Sequence, residues 1–231
     1  MHPNNETHQF EPLSPHGLQP IRYLIPTAST LENYDGRGTR AHEWIGCLTT
    51  PQSKCHGPIT EGRLWGLDSG AFTGKFVESR WLTYVSRMQE YASTCLFVVV
   101  PDVWADAEQS LRLFETYAPQ LSGSGLPLAY AVQDGAENLP LPPCDAIFIG
   151  GTNEWRSSQA VPQLIDAAKA RGVGVHLGRV NSRQRVIDAH GMGIDSVDGT
   201  YVAFRSVKRG VHEIGEWLDA AQAQTLQGRL F

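Results

Sequence analysis

Seven short apolar runs and a weaker eighth, alternating with helix-patterned segments in 231 residues, predict an α/β chain folded as a compact (β/α)8 TIM barrel. Three observations carry the prediction. Strand–helix alternation implies parallel pairing through right-handed crossovers. Runs such as FVVV and AIFI are continuously apolar rather than alternating, as in strands covered on both faces. The chain length suits one large domain, with an open doubly wound sheet as the alternative arrangement.

Taken in order, residues 1–20 are polar and rich in Pro, Asn and His, and are expected to form a flexible tail ahead of a single catalytic domain at 21–231. They lack the basic start and apolar centre of an export signal. No run approaches the ~20 apolar residues that span a bilayer. The strand candidates are 21–26, 44–48 (the weaker one), 64–67, 96–100, 128–132, 146–149, 173–177 and 194–197. Helical faces follow: Trp81, Val85, Met88 and Ala92; Ala107, Leu111, Phe114 and Ala118; Val161, Leu164, Ile165 and Ala168. A short helix carries Val186, Ile187 and His190, and a last one Ile214, Trp217, Leu218 and Ala221. Residues 27–43 hold Asn33, Asp35, Gly36 and Gly38 and read as a long loop. Residues 134–144, DGAENLPLPPC, are too short and Pro-rich for a full crossover helix.

The composition is that of a globular chain, and its net charge of −5 lacks the bulk positive field of a nucleic-acid binder. Cys47, Cys55, Cys95 and Cys144 form no C-x-x-C pair. Cys47, Cys55 and His56 lie close in sequence, but no fourth ligand accompanies them. Reduced structural thiols and no metal are expected, in keeping with the cytoplasm.

In such a barrel the chemistry gathers at the C-terminal ends of the strands. The residues following the apolar runs are Asp68, Asp102, Gln133, Gly150-Gly151, Gly178-Arg179 and Asp198. Each has a plain structural explanation. Asp68 suits a turn before Ser69-Gly70, Asp102 or Asp106 a helix cap, and Asp198-Gly199 a turn pair. Capping, however, does not call for a polar group at nearly every strand end of one rim. Paired carboxylates there suit cleavage of a glycosidic bond, one as nucleophile and the other managing the proton. An amide beside exposed glycine backbone suits the edge of a planar heterocycle. Transfer or hydrolysis at a sugar–base bond is the reading these residues support. His176, inside an apolar run, reads as a core histidine.

The ordered motifs D-S-G-A-F (68–72), P-D (101–102), A-V-Q-D-G (131–135), I-G-G (149–151), H-L-G-R-V (176–180) and G-I-D-S-V-D (193–198) together resemble the tRNA-guanine transglycosylase superfamily. That superfamily includes the queuine and archaeosine tRNA-ribosyltransferases and the DNA deazaguanine transglycosylases. The resemblance spans about residues 21–205. It implies Asp198 as the nucleophile at C1′ and Asp68 as the general acid/base. It implies Asp102 and Gln133 as readers of a guanine-like base, with backbone contacts from Gly150 and Gly151. Gly178, Ser69 and Phe72 would line the pocket. No ATP or organic cofactor is implied.

The sequence departs from the family pattern in places. No cysteine follows Cys144, so the C-terminal zinc site of the tRNA enzymes is missing. Ala71 and Thr73 replace a glycine and a glutamine of the first motif, and Asp134 a glycine of the third. These departures favour a short DNA-modifying member, of the kind often found in phages and bacterial DNA-modification clusters. It would exchange guanine for a 7-deazaguanine such as preQ0. The alternatives are the tRNA enzyme, a hydrolytic N-glycosidase and a non-catalytic partner subunit. Arg179, Arg183 and Arg185, with Arg205, Lys208 and Arg209, are the candidate contacts to the nucleic-acid backbone. Arg205 falls one residue from a substrate-binding arginine of the family. With so little basic surface, binding is expected to be salt-sensitive or assisted by a partner protein.

Overall fold

A computed structural model of the chain describes residues 20–26, 31, 43–54, 56–71, 74 and 76–228, with side chains to residue 224. Phe72, Cys55 and most of the 27–43 loop lie outside the described residues. The eight strands are β1 (Arg22–Ile25), β2 (Ile45–Thr49), β3 (Trp65–Leu67), β4 (Cys95–Val99), β5 (Leu128–Val132), β6 (Ala146–Ile149), β7 (Gly174–Leu177) and β8 (Ser196–Asp198). All neighbours pair in parallel, and β1 pairs with both β2 and β8. This closure gives a (β/α)8 barrel and excludes the open doubly wound sheet. The weaker run at 44–48 is a full member of it.

The helices are α1 (Gly57–Thr60), α2 (Glu78–Met88), α3 (Ala107–Tyr117), α4 (Asn153–Arg156), α5 (Ala160–Ala170), α6 (Arg183–Gly191) and α7 (Val207–Gly228). Two end sooner than their apolar faces suggest. Ala92 falls in a 3-10 turn, Gln89–Thr94, where the Trp65 indole N–H donates to the Tyr91 carbonyl at 2.9 Å. Ala118 opens the 3-10 turn Ala118–Leu121, because Pro119 has no N–H to continue the α ladder. Between β5 and β6 there is only the 3-10 turn Ala136–Asn138, as the prolines of that segment require. No helix among the described residues is long and apolar enough to cross a membrane.

The core has two layers. An outer one, including Tyr23, Ile45, Trp65, Trp81, Ile147 and Ile214, joins the strands to the helices. An inner one, including Leu24, Leu48, Phe97, Val99, Ala131 and Phe148, fills the barrel. Gly66 makes room for the inner layer, since a Cβ there would sit 2.7 Å from Phe97 Cζ. Truncating Phe97 to Ala would cost about 3–5 kcal/mol, as the closed sheet has little freedom to collapse.

Strand periodicity then positions the site. Residues two apart share a face, so above Ala131 comes Gln133, above Phe148 comes Gly150, and above Ser196 comes Asp198. The inner layer is thus the floor on which the strand-end residues stand.

Candidate active site at the strand ends

A cavity of about 140 Å³ opens at this rim, below the ~300 Å³ of drug-sized pockets and suited to one small ring system. Its lining includes Asp68, Asp102, Gln133, Gly150, Gly151, Gly178, Arg179 and Asp198 from β3 through β8. One mouth therefore gathers most of the residues expected there. Ser69 stands behind the lining, with its Oγ donating to Asp102 Oδ1 at 3.3 Å.

On one side a hydrogen-bonded chain orients the polar groups. Gln133, 2% exposed, donates from Nε2 to Asp102 Oδ2 at 2.7 Å. Its Oε1 accepts the N–H groups of Gly151 (2.7 Å) and Ala105 (3.1 Å), which fixes the amide's orientation. A second N–H on Gln133 and further lone pairs on Asp102 remain for a ligand. Burial, reinforced by the nearby Asp68 charge, raises the Asp102 carboxyl to about 6, against the lowering effect of Ser69 and Gln133. Burial also raises Asp68, helped by the Asp198 charge and opposed chiefly by the Gly70 N–H, 2.8 Å from Asp68 Oδ1. The turn role foreseen for Asp68 is thus real and coexists with its place in the cavity. Asp106, by contrast, caps α3, accepting the Gln109 N–H at 2.9 Å, and leaves Asp102 to the site.

The glycine pair serves geometry. A Cβ on Gly150 would lie 2.5 Å from Gln133 Nε2, and Gly151 has φ +76°. Their amides are already spent, Gly150 N–H on the Val132 carbonyl at 3.0 Å and Gly151 N–H on Gln133. The backbone contacts that the resemblance implies would thus compete with Gln133 for the Gly151 N–H. Asp134, where the motif it resembles has glycine, clamps this loop by accepting Thr152 N–H (2.8 Å) and Thr152 Oγ1–H (2.6 Å).

Across the mouth, Asp198 is 7% exposed and held by two neighbours. His176 Nε2 lies 3.0 Å from its Oδ2, and the Arg179 N–H donates to its Oδ1 at 3.2 Å. The fully buried His176 ring stacks on Phe148 at 4.8 Å, and its Nδ1 meets Ser196 Oγ at 2.8 Å. In the neutral tautomer with the proton on Nε2, the ring donates to Asp198 and Nδ1 accepts from the Ser196 hydroxyl. His176 is a core histidine, as its sequence context suggested, and it also supports the carboxylate. Gly178 leaves the space above the ring open, since a Cβ there would come 3.2 Å from Asp198 Oδ2.

Arg179 adopts φ +61° and Ala105 φ +57°, the two non-glycine residues with positive φ among the described residues. Both present a backbone N–H to the site, one to Asp198 and the other to Gln133. Such strain collects where the surroundings over-determine a functional geometry.

The remaining basic candidates separate by position. Arg183 and Arg185 open α6, outside the cavity lining. Arg205 stacks over Tyr201 at 5.2 Å, and Arg209 pairs with Glu213 at 2.8 Å on α7. Lys208 is exposed on the same helix. None of these three lines the cavity.

Two residues emerge that strand-end reading missed. Trp104 lines the cavity while 51% exposed, two residues past Asp102. Arg156, at the end of α4, reaches across to the Gly178 carbonyl. Neither follows directly on an apolar run, so only the folded loops bring them in. Among the described residues no group of three or more His, Cys, Asp or Glu is arranged to hold a metal. His56 instead meets Tyr84 OH at 2.6 Å.

Fold and site together define a (β/α)8 barrel with an acid-lined cavity of ring-system size at its strand ends. Compared with known proteins, the chain matches no family model and no curated protein. Since one barrel fold hosts many chemistries, function has to be argued from the site itself.

Proposed function

We propose that the protein is a base-exchange transglycosylase that replaces guanine in DNA with a 7-deazaguanine, preQ0 being a suitable base. The observation that carries this reading is the placement of Asp68 and Asp198 in one cavity with the Asp102–Gln133 pair. In the first step an Asp198 oxygen attacks C1′, the C1′–N9 bond breaks, and Asp68 delivers a proton to the leaving guanine. Its burial keeps that carboxyl protonated to higher pH than an ordinary aspartate, as an acid requires. In the second step Asp68, now a carboxylate, takes the proton from the incoming base. The C1′–N bond forms as the Asp198 ester bond breaks. Asp102 accepts from the N–H edge of a guanine-like base, and Trp104 lines the same cavity at its exposed edge. A guanine within a duplex must first leave the stack, which costs a few kcal/mol. The setting we infer is cytoplasmic, with tRNA as the alternative polymer.

The test is incubation with DNA carrying labelled guanine, with and without preQ0, and with tRNA in parallel. Release of guanine dependent on preQ0, with incorporation, supports the proposal. Abasic sites without added base would assign hydrolysis instead, and no release from either polymer would reject both.

A further inference from the structure

We propose that the loops after β6 and β7 form a subsite for a phosphate ester, built from Arg156 and Arg179 beside Asp198, with Arg185 from the first turn of α6 as a flanking cation. Two of the guanidiniums are cross-braced. Arg179 Nη2 donates to the Gly151 carbonyl at 2.7 Å, while Arg156 Nη2 donates to the Gly178 carbonyl. Each arginine thus anchors on the other's loop, and both are held at the rim. The Arg156 Nε–H is buried with no acceptor among the described residues. None of the three arginines forms a carboxylate ion pair among the described residues. For the half-buried Arg156, an unpaired N–H and an unneutralised charge are both costly, and a nearby anion would offset that cost.

The electrostatics agree with the geometry. Arg156 is pushed down to about 10, first by burial and then by the like charges of Arg179 and Arg185, with Asp198 the opposing charge. At Arg156 two like charges are thus opposed by one carboxylate, in a chain whose net charge is −5. The concentration is local and is not a consequence of a basic composition. Guanidinium forks match phosphate oxygens, and loops at this end of (β/α)8 barrels often hold phosphate. That the phosphate belongs to the sugar which Asp198 attacks rests on the reading given above. The shared chemistry fits a free nucleotide or a phosphodiester of a polynucleotide.

Calorimetric titration at low salt would compare guanosine, guanosine 5′-monophosphate and a short single-stranded oligonucleotide with one guanine. Inorganic phosphate, followed by the rise in Tm, serves as a probe independent of any base. The expected result is Tm stabilisation by phosphate and an affinity at least about tenfold higher for the monophosphate than for guanosine. That ratio should collapse toward one in Arg156→Gln and in Arg185→Ala, the latter exposed and able to stand in should the first variant misfold. A further gain for the oligonucleotide identifies a phosphodiester, and equal affinity a free nucleotide. A ratio near one in the wild type, or one unchanged in Arg185→Ala and in folded Arg156→Gln, overturns the subsite. Phosphate binding that depends on these arginines without any base exchange would keep the subsite and reject the transglycosylase reading.

Discussion

The two sides of the mouth are built on opposite electrostatic plans. From β3 to β5 come the buried acids Asp68 and Asp102 and the amide of Gln133, with Asp102 tied to Gln133 and Asp68 to the Gly70 N–H. From β6 to β8 come Arg156, Arg179 and Asp198, a carboxylate among guanidiniums, standing on a buried histidine. The first side favours a neutral, hydrogen-bonding ring, because burial resists charge there. The second favours an anion and holds Asp198, whose two oxygens meet the His176 ring and the Arg179 N–H. A nucleotide has this same polarity, with a flat base at one end and a charged backbone at the other. The asymmetry fixes which way it would lie.

Substitutions on each side should fail in different ways. The largest effect is expected from Asp198→Asn, which leaves the shape but removes the nucleophile we propose. Base release should fall by about 10⁴-fold or more with little change in base affinity. Single-turnover kinetics beside a binding titration would separate the two.

Beneath it, His176→Phe keeps the stacking volume but removes the contact to Asp198. Misplacement on that scale costs about 100-fold in kcat. KM for the base should hold, and His176→Gln, which can still donate, should recover part of the rate. A loss confined to KM would show that His176 only packs the barrel.

The acid side should respond in stability. Asp102 is raised to about 6 in the folded protein, above its ordinary value, so the fold keeps a proton that the unfolded chain has released. Its contribution is therefore complete below about pH 4 and is lost as pH rises through about 6. Asp102→Asn should remove that loss. The variant should be about 3 kcal/mol more stable than wild type at pH 8 and about equal to it at pH 4, with weakened base binding. Urea titrations at the two pH values read this directly, and equal stability at pH 8 would contradict it. A smaller change, about 1 kcal/mol in base affinity, is expected from Trp104→Ala, with Trp104→Phe retaining most of it.

The same comparison explains how much was legible beforehand. Parallel alternation and strand-end positions depend on local pattern, so the barrel, Asp68, Asp102, Gln133 and Asp198 could be read directly. The contribution of His176 could not, because a histidine within an apolar run looks the same whether it faces a ring or a carboxylate. Its register opposite Ser196 decides the matter. Arg156 was hidden for another reason. It ends a short helix rather than following a strand, and only loop crossing brings it to Gly178. Trp104 is hidden likewise, since it comes two residues after the strand-end Asp102 and enters the cavity from the loop.

The most direct test of the central claim is to trap the covalent intermediate. The protein is mixed with guanine-containing DNA in the absence of an incoming base, quenched in denaturant, digested and analysed by mass spectrometry. A sugar-linked adduct on the peptide bearing Asp198, absent in Asp198→Asn and discharged by preQ0, is the predicted result. Guanine release without an adduct at Asp198, or an adduct at Asp68, would contradict the account.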